Sequence, residues 1–177
     1  MTLPDPIPRA AAPSTRTPTL LGVVNLSPES MVEDSIVRGP DEALERARAL
    51  QRDGASLIDL GGRSITPDAP QIDDHEEQRR IEPAAARLRN GSIPFSVDTW
   101  SNETAIAALE WGASVVNFTG QRASAEMLAA TAAAEAALIL THMPYGDAYQ
   151  MRQRPRVEAP APLLPPGAPA QSKDPVN

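Results

Sequence analysis

The sequence has no cysteine, which excludes disulfides and thiolate metal sites and leaves the compartment open. Aromatic residues make up only 3% of the chain, so any core must rest on Ala, Val, Leu and Ile. Positive charge is not in excess. The formal net charge is −7, the wrong sign for non-specific nucleic-acid binding. An anionic small molecule is still compatible, because a site is set by its local field and not by net charge. No apolar run approaches the roughly 18 residues of a membrane span. The stretch from Met1 to Pro18 also lacks the apolar centre of a signal peptide. These absences predict a cytoplasmic protein with no nucleic-acid or membrane partner.

Proline is abundant and unevenly placed. Pro4, Pro6, Pro8, Pro13 and Pro18 crowd the start, and Pro155, Pro160, Pro162, Pro165, Pro166, Pro169 and Pro175 crowd the end. Both flanks lack apolar periodicity, which predicts flexible segments over 1–18 and 152–177 around one packed unit over 19–151.

Inside that unit short apolar runs alternate with helical patterns. Strands are predicted at Leu20–Val24, Ser56–Leu60, Ile93–Val97, Ser114–Val116 and Ala137–Thr141. Helices are predicted at Asp41–Asp53, Asp74–Asn90, Asn102–Trp111 and Ala123–Glu135. Pro83 should restart or kink the second helix. Ser101 and Ser124 are N-cap candidates. Arg46, Arg48 and Arg52 fall on the outer face of the first helix. The alternation predicts an α/β fold with a parallel sheet buried on both faces. A barrel and an open doubly wound sheet both fit it.

The strands tend to end on polar residues: Asn25, Asp59, Asp98, Asn117 and His142. In a barrel such residues form a ring at the C-terminal face, where catalytic groups sit. Open sheets gather ligands at the switch point instead. Each residue also has a plainer reading. Asn25 could be a turn residue before Ser27-Pro28, and Asp98 and Asn117 could cap the segments after them. Asp59 could be a buried structural acid, and His142 a satisfied structural histidine. Gly61-Gly62 reads as backbone geometry.

Three segments carry more than this general pattern. Leu21-Gly22-Val23-Val24-Asn25-Leu26-Ser27-Pro28-Glu29-Ser30 resembles the first signature of the dihydropteroate synthases, G-I-L-N-V-T-P-D-S-F. Gly54-Ala55-Ser56-Leu57-Ile58-Asp59-Leu60-Gly61-Gly62-Arg63-Ser64-Ile65-Thr66-Pro67 resembles the second, G-A-D-I-I-D-I-G-G-E-S-T-R-P. It is also similar to related methyltetrahydrofolate-binding domains. Phe95-Ser96-Val97-Asp98-Thr99, followed by Ala108 to Asn117, resembles the third region. Leu140-Thr141-His142-Met143 is similar to the family's L-M-H-M.

The resemblance implies a TIM (β/α)₈ barrel, of which this chain would supply about five parallel strands and four helices, with the C-terminal part missing. A whole barrel usually takes about 250 residues. It implies folate biosynthesis: p-aminobenzoate is condensed with 6-hydroxymethyl-7,8-dihydropterin pyrophosphate. Asp98 and Asn117 would hydrogen-bond the pterin, and Asn25 would lie by the pyrophosphate and its Mg²⁺. Ser64 and Thr66 would belong to the p-aminobenzoate loop. No catalytic residue is assigned.

The sequence also departs from the family. Arg63 stands for its Glu, Ile65 for its Thr, Thr66 for its Arg, Met31 for its Phe, and Phe118 for the Asp after Asn117. The family's later lysine and phosphate motifs do not appear. The alternative function is therefore a non-catalytic paralogue that binds pterin or serves in an assembly. An unclosed barrel would expose the edges of its first and fifth strands, which predicts a homodimer or a partner chain that completes it.

Overall fold

A computed structural model describes residues 18–30, 32–66 and 69–142. Of the flanks expected over 1–18 and 152–177, residues 1–17 and 152–177 lie outside the described residues, as do Met31, Pro67 and Met143.

Among the described residues five strands alternate with four α-helices. They are β1 (Leu21–Asn25), α1 (Pro40–Arg52), β2 (Leu57–Gly61), α2 (Asp74–Asn90) and β3 (Phe95–Thr99). Then come α3 (Asn102–Trp111), β4 (Val115–Phe118), α4 (Ala125–Ala133) and β5 (Ala137–Leu140). A short 3₁₀ turn, Glu33–Ser35, lies between β1 and α1.

The helix ends follow local chemistry. Pro40 opens α1, where its missing N–H has no helical partner to lose. Asp73, Ser101 and Ser124 cap α2, α3 and α4, each accepting from the backbone N–H three residues on. The α3 helix closes on Gly112 at φ 99°, a left-handed conformation that glycine adopts without steric cost. The α2 helix runs through Pro83 without a restart. Arg46 is only partly exposed, and its Nε is buried without a hydrogen-bond partner. The first helix therefore does not present all three of its arginines to solvent.

The sheet is wholly parallel, in the order β1-β2-β3-β4-β5. Every strand pairs with the next in sequence. Among the described strands the order never reverses, so they hold no switch point of the doubly wound kind. Successive helices pack on one another, α1 on α2, α2 on α3 and α3 on α4, in one layer. This is a barrel arc, which decides between the two architectures the alternation allowed.

The single helical layer determines which side chains are dry. On the helix side Val24, Ile58, Leu60, Phe95 and Val97 pack against Ala43, Ala47, Ile81, Ala84, Ala85 and Leu88. Val116 and Phe118 pack with Ala105 and Met127. The small alanines let the helices approach a sheet that has few aromatics. The sequence predicts burial on both faces, and the outer strands depart from that. The β2 strand is buried throughout, but Val23 on β1 is 44% exposed. No residue of β5 is fully buried, and Leu140 is 61% exposed. Edge strands have only one neighbour to cover them. Among the described residues no helix is long and apolar enough to cross a membrane.

Candidate functional site

Because strand side chains alternate between faces, register decides which of them meet. Asn25 pairs with Gly61, Gly61 with Asp98, and Asp98 with Asn117. These four residues form one row across β1 to β4, at the carboxyl ends of the strands. The row below it contains Val23, Asp59, Ser96 and Val115. Their neighbours along each strand, Val24, Leu60, Val97 and Val116, belong to the core under the helices. Asn25, Asp98 and Asn117 therefore share the face away from the helices.

Gly61 keeps the row open. A Cβ built there would lie 3.0 Å from Asn25 Oδ1. Any larger residue would fill the space between Asn25 and Asp98.

The polar groups are held in a definite order. Asn25 donates through Nδ2 to Ser35 Oγ at 2.6 Å, and Ser35 Oγ donates to the Val32 carbonyl at 2.5 Å. Thr119 donates to Asp98 Oδ1 at 3.0 Å. Asn117 donates through Nδ2 to Asp59 Oδ2 at 3.0 Å, while Ser96 donates to Asp59 Oδ1 at 2.5 Å.

Two carboxylates so close in a poorly solvated place resist ionising. Burial, then the charge of Asp59, then that of Glu77 push the Asp98 carboxyl from 3.8 up to about 7, against the Thr119 hydrogen bond. Burial also raises Asp59, opposed by its bonds from Ser96 and Asn117. Strongly perturbed acids at strand ends mark a functional-site candidate.

Asn25 is the one expected Mg²⁺ ligand. With its Nδ2 fixed on Ser35, its amide oxygen is left as a hard donor beside the space over Gly61. Among the described residues no group of three or more His, Asp or Glu could hold a metal by itself.

Ser64 and Thr66 are not in this row. Both hydroxyls donate to the Glu29 carbonyl, at 3.0 and 2.7 Å, and they lie 2.6 Å from each other. Arg80 of α2 reaches the Glu29 carboxylate at 3.3 Å and the Gly62 carbonyl at 3.2 Å. The loops after β1 and β2 are thus tied together through Glu29. Partial burial works against the Glu29 carboxylate, but its bonds from Ser27 and the backbone and the Arg80 charge outweigh it and lower the pKa.

Arg63 turns away from the row. Its side chain is 6% exposed, paired with Asp74 and with Glu77 at 3.2 Å, and its guanidinium lies 5.0 Å from the centre of the Trp100 ring. Glu77 is fully buried and also accepts from Thr99. The substitution of Arg for the family's acid is thus answered by two acids on α2. Phe118 faces the helices and lies in the core, so the change from Asp there alters packing and not the open face. His142 is exposed beyond β5. Ser96, Thr119, Ser35 and Glu29, which organise the site, carried no sequence signal beyond lying in or beside the signature segments.

Comparison with known proteins agrees with this fold. The model of a family described as pterin binding enzyme matches residues 21–161. Dihydropteroate synthase of Mycobacterium leprae is 35% identical over 124 residues, which cover 70% of this chain and 44% of that protein. Among solved structures, the Yersinia pestis dihydropteroate synthase with a sulfonamide drug complex superposes with a TM-score of 0.66. It is 27% identical and covers 80% of this chain and 51% of its own. The Thermus thermophilus dihydropteroate synthase in complex with 4-aminobenzoate gives a TM-score of 0.61 at 35% identity, covering 75% and 46%. The chain spans about half the length of these three relatives.

Proposed function

Because this chain belongs to the pterin binding enzyme family, we propose that its polar row binds a dihydropterin in the service of dihydropteroate synthesis. The reaction would join p-aminobenzoate to 6-hydroxymethyl-7,8-dihydropterin pyrophosphate. The aniline nitrogen forms a C–N bond to the pterin methylene as the C–O bond breaks, and pyrophosphate leaves with the electron pair.

The observation that carries this reading is the single register row Asn25–Gly61–Asp98–Asn117. Asp98 offers acceptor oxygens suited to the amino and ring N–H donors of a pterin, and Asn117 offers both donor and acceptor. Asn25 would lie by the pyrophosphate, its oxygen serving a Mg²⁺ ion that neutralises the leaving group's charge. A similar protein solved in complex with 4-aminobenzoate supports the second substrate.

A second reading, pterin binding without condensation, is favoured by the loop clasp. Ser64 and Thr66 are engaged on the Glu29 carbonyl, and Arg63 is engaged on α2. The exposed residues of the edge strands β1 and β5 would suit pairing with further strands, including those of a second copy or a partner chain.

Calorimetric titration of the chain with 6-hydroxymethylpterin tests the shared claim. No heat at millimolar ligand rejects both readings. Formation of dihydropteroate from labelled p-aminobenzoate, lost in Asp98→Ala, selects the first. Binding without product selects the second.

A further inference from the structure

Asp59 is buried in the row beneath the proposed pterin site, and neither reading above gives it a task. It is 7% exposed and has no cation among its hydrogen-bond partners. A buried carboxylate costs free energy unless its oxygens are filled. Here they are filled by Ser96 Oγ and by Asn117 Nδ2. Asn117 turns its nitrogen toward Asp59, which suits a carboxylate oxygen as acceptor. That leaves the amide oxygen and the second N–H of Asn117 for a ligand. Without Asp59 nothing in the described structure distinguishes the two ends of this amide.

We infer that Asp59 is a positioning residue: by holding Asn117 Nδ2 it fixes which amide atom a ligand meets, and so selects a 2-amino-4-oxo-pyrimidine edge over a 2,4-diamino one. The inference rests on the pterin reading. The two edges differ in that a carbonyl acceptor and a ring N–H donor are replaced by an amino donor and a ring acceptor. An amide free to rotate by half a turn would satisfy either edge. An amide held in one orientation penalises the wrong one, because a mismatched buried polar group stays unpaired.

Asp59 also faces Asp98. The other charges around this pair are Glu77 of α2 and Arg63, which is paired to it. The β1 and β4 strands bring the neutral Asn25 and Asn117 to the row, and β5 (Ala137–Leu140) is uncharged.

The experiment is calorimetry of the whole 177-residue chain with 6-hydroxymethylpterin and with its 2,4-diamino analogue, for the parent, Asp59→Ala and Asp59→Asn. Asp59→Ala should lower the preference for the oxo ligand about tenfold. Asp59→Asn keeps an acceptor for Asn117, so it should restore the preference to within about threefold. It should also move the pH midpoint of binding downward by about half a unit or more, because the charge beside Asp98 is gone. An unchanged preference in Asp59→Ala overturns the inference and leaves the pterin reading standing. If Asp59→Ala does not melt cooperatively, Asp59→Leu, which has a similar shape and also offers Asn117 no acceptor, decides by the same preference, and an unchanged preference overturns the inference. A parent that binds neither ligand rejects the pterin reading itself, and the inference falls with it.

Discussion

Replacing Asp98 by asparagine should make this protein more stable while removing its ligand site, and the gain should depend on pH. Burial and the neighbouring Asp59 raise the Asp98 carboxyl from 3.8 to about 7. Between those values the folded protein holds a proton that the unfolded chain has released. Stability therefore falls as pH rises through this window and levels off above about pH 7. At about 1.4 kcal/mol per pK unit, the ionised side chain costs the fold up to about 4 kcal/mol at about pH 8. At about pH 5 the cost is only about 1–2 kcal/mol, because most folded molecules keep the proton there. Partial exposure at the rim screens the charge, so a gain of about 2–4 kcal/mol at the higher pH is the expected range.

Asparagine keeps the shape and can still meet the Thr119 hydroxyl. The raised pKa values of Asp59 and Glu77, both driven by burial, act in the same direction in both proteins. Those of Glu29, Glu76 and Glu126 are lowered, so their contribution is lost only below about pH 4.5. Urea unfolding of parent and Asp98→Asn at the two pH values isolates the effect, provided both transitions are two-state. The reasoning is refuted if the variant is no more stable than the parent at about pH 8, or if the parent gains stability between about pH 5 and about pH 8.

Pterin affinity should weaken about tenfold per unit as pH falls below about 7, because a protonated Asp98 cannot accept from both ring donors; calorimetry across pH reads this, and a flat profile removes Asp98 from the contact. Gly61→Ala should weaken pyrophosphate-bearing ligands more than the bare pterin, since its Cβ would crowd Asn25 Oδ1. Equal losses for both ligands would count against Asn25's place by the pyrophosphate. Arg63→Met should destabilise the fold by about 3 kcal/mol at neutral pH, because it leaves Glu77 buried without its cation; a change under about 1 kcal/mol in urea unfolding would mean that the Thr99 and Thr104 hydroxyls suffice for Glu77. Ser124→Ala should cost about 1 kcal/mol through loss of the α4 cap, with ligand binding untouched.

Much of the architecture was legible because its signals are local. The α2 helix spans Asp74–Asn90 as its periodicity predicts, and Ser101 and Ser124 cap the helices they precede. The β1 to β4 strands run one or two residues further toward the carboxyl end than their apolar runs suggest. Asp98 and Asn117 thus lie within β3 and β4, and not after them. Polar side chains there remain in the strand because backbone pairing continues beneath them. The α2 helix does not restart at Pro83, because tertiary packing of Ile81, Ala84 and Ala85 overrides local propensity. Arg63 and Phe118 looked like losses of site chemistry. One is an ion-paired anchor on α2 and the other is core, and neither role shows in a linear string.

The order of strands and helices, their caps and the family signatures follow from residue type and short-range spacing, so the chain alone determined them. Which polar residues meet was decided only when β1 to β4 paired in one register. A shift of one residue would carry Asn117 or Asp98 to the helix side. Desolvation and charge proximity act through space, and for that reason the raised pKa of Asp98 and the grip of Asp59 on Asn117 exist only in the folded protein.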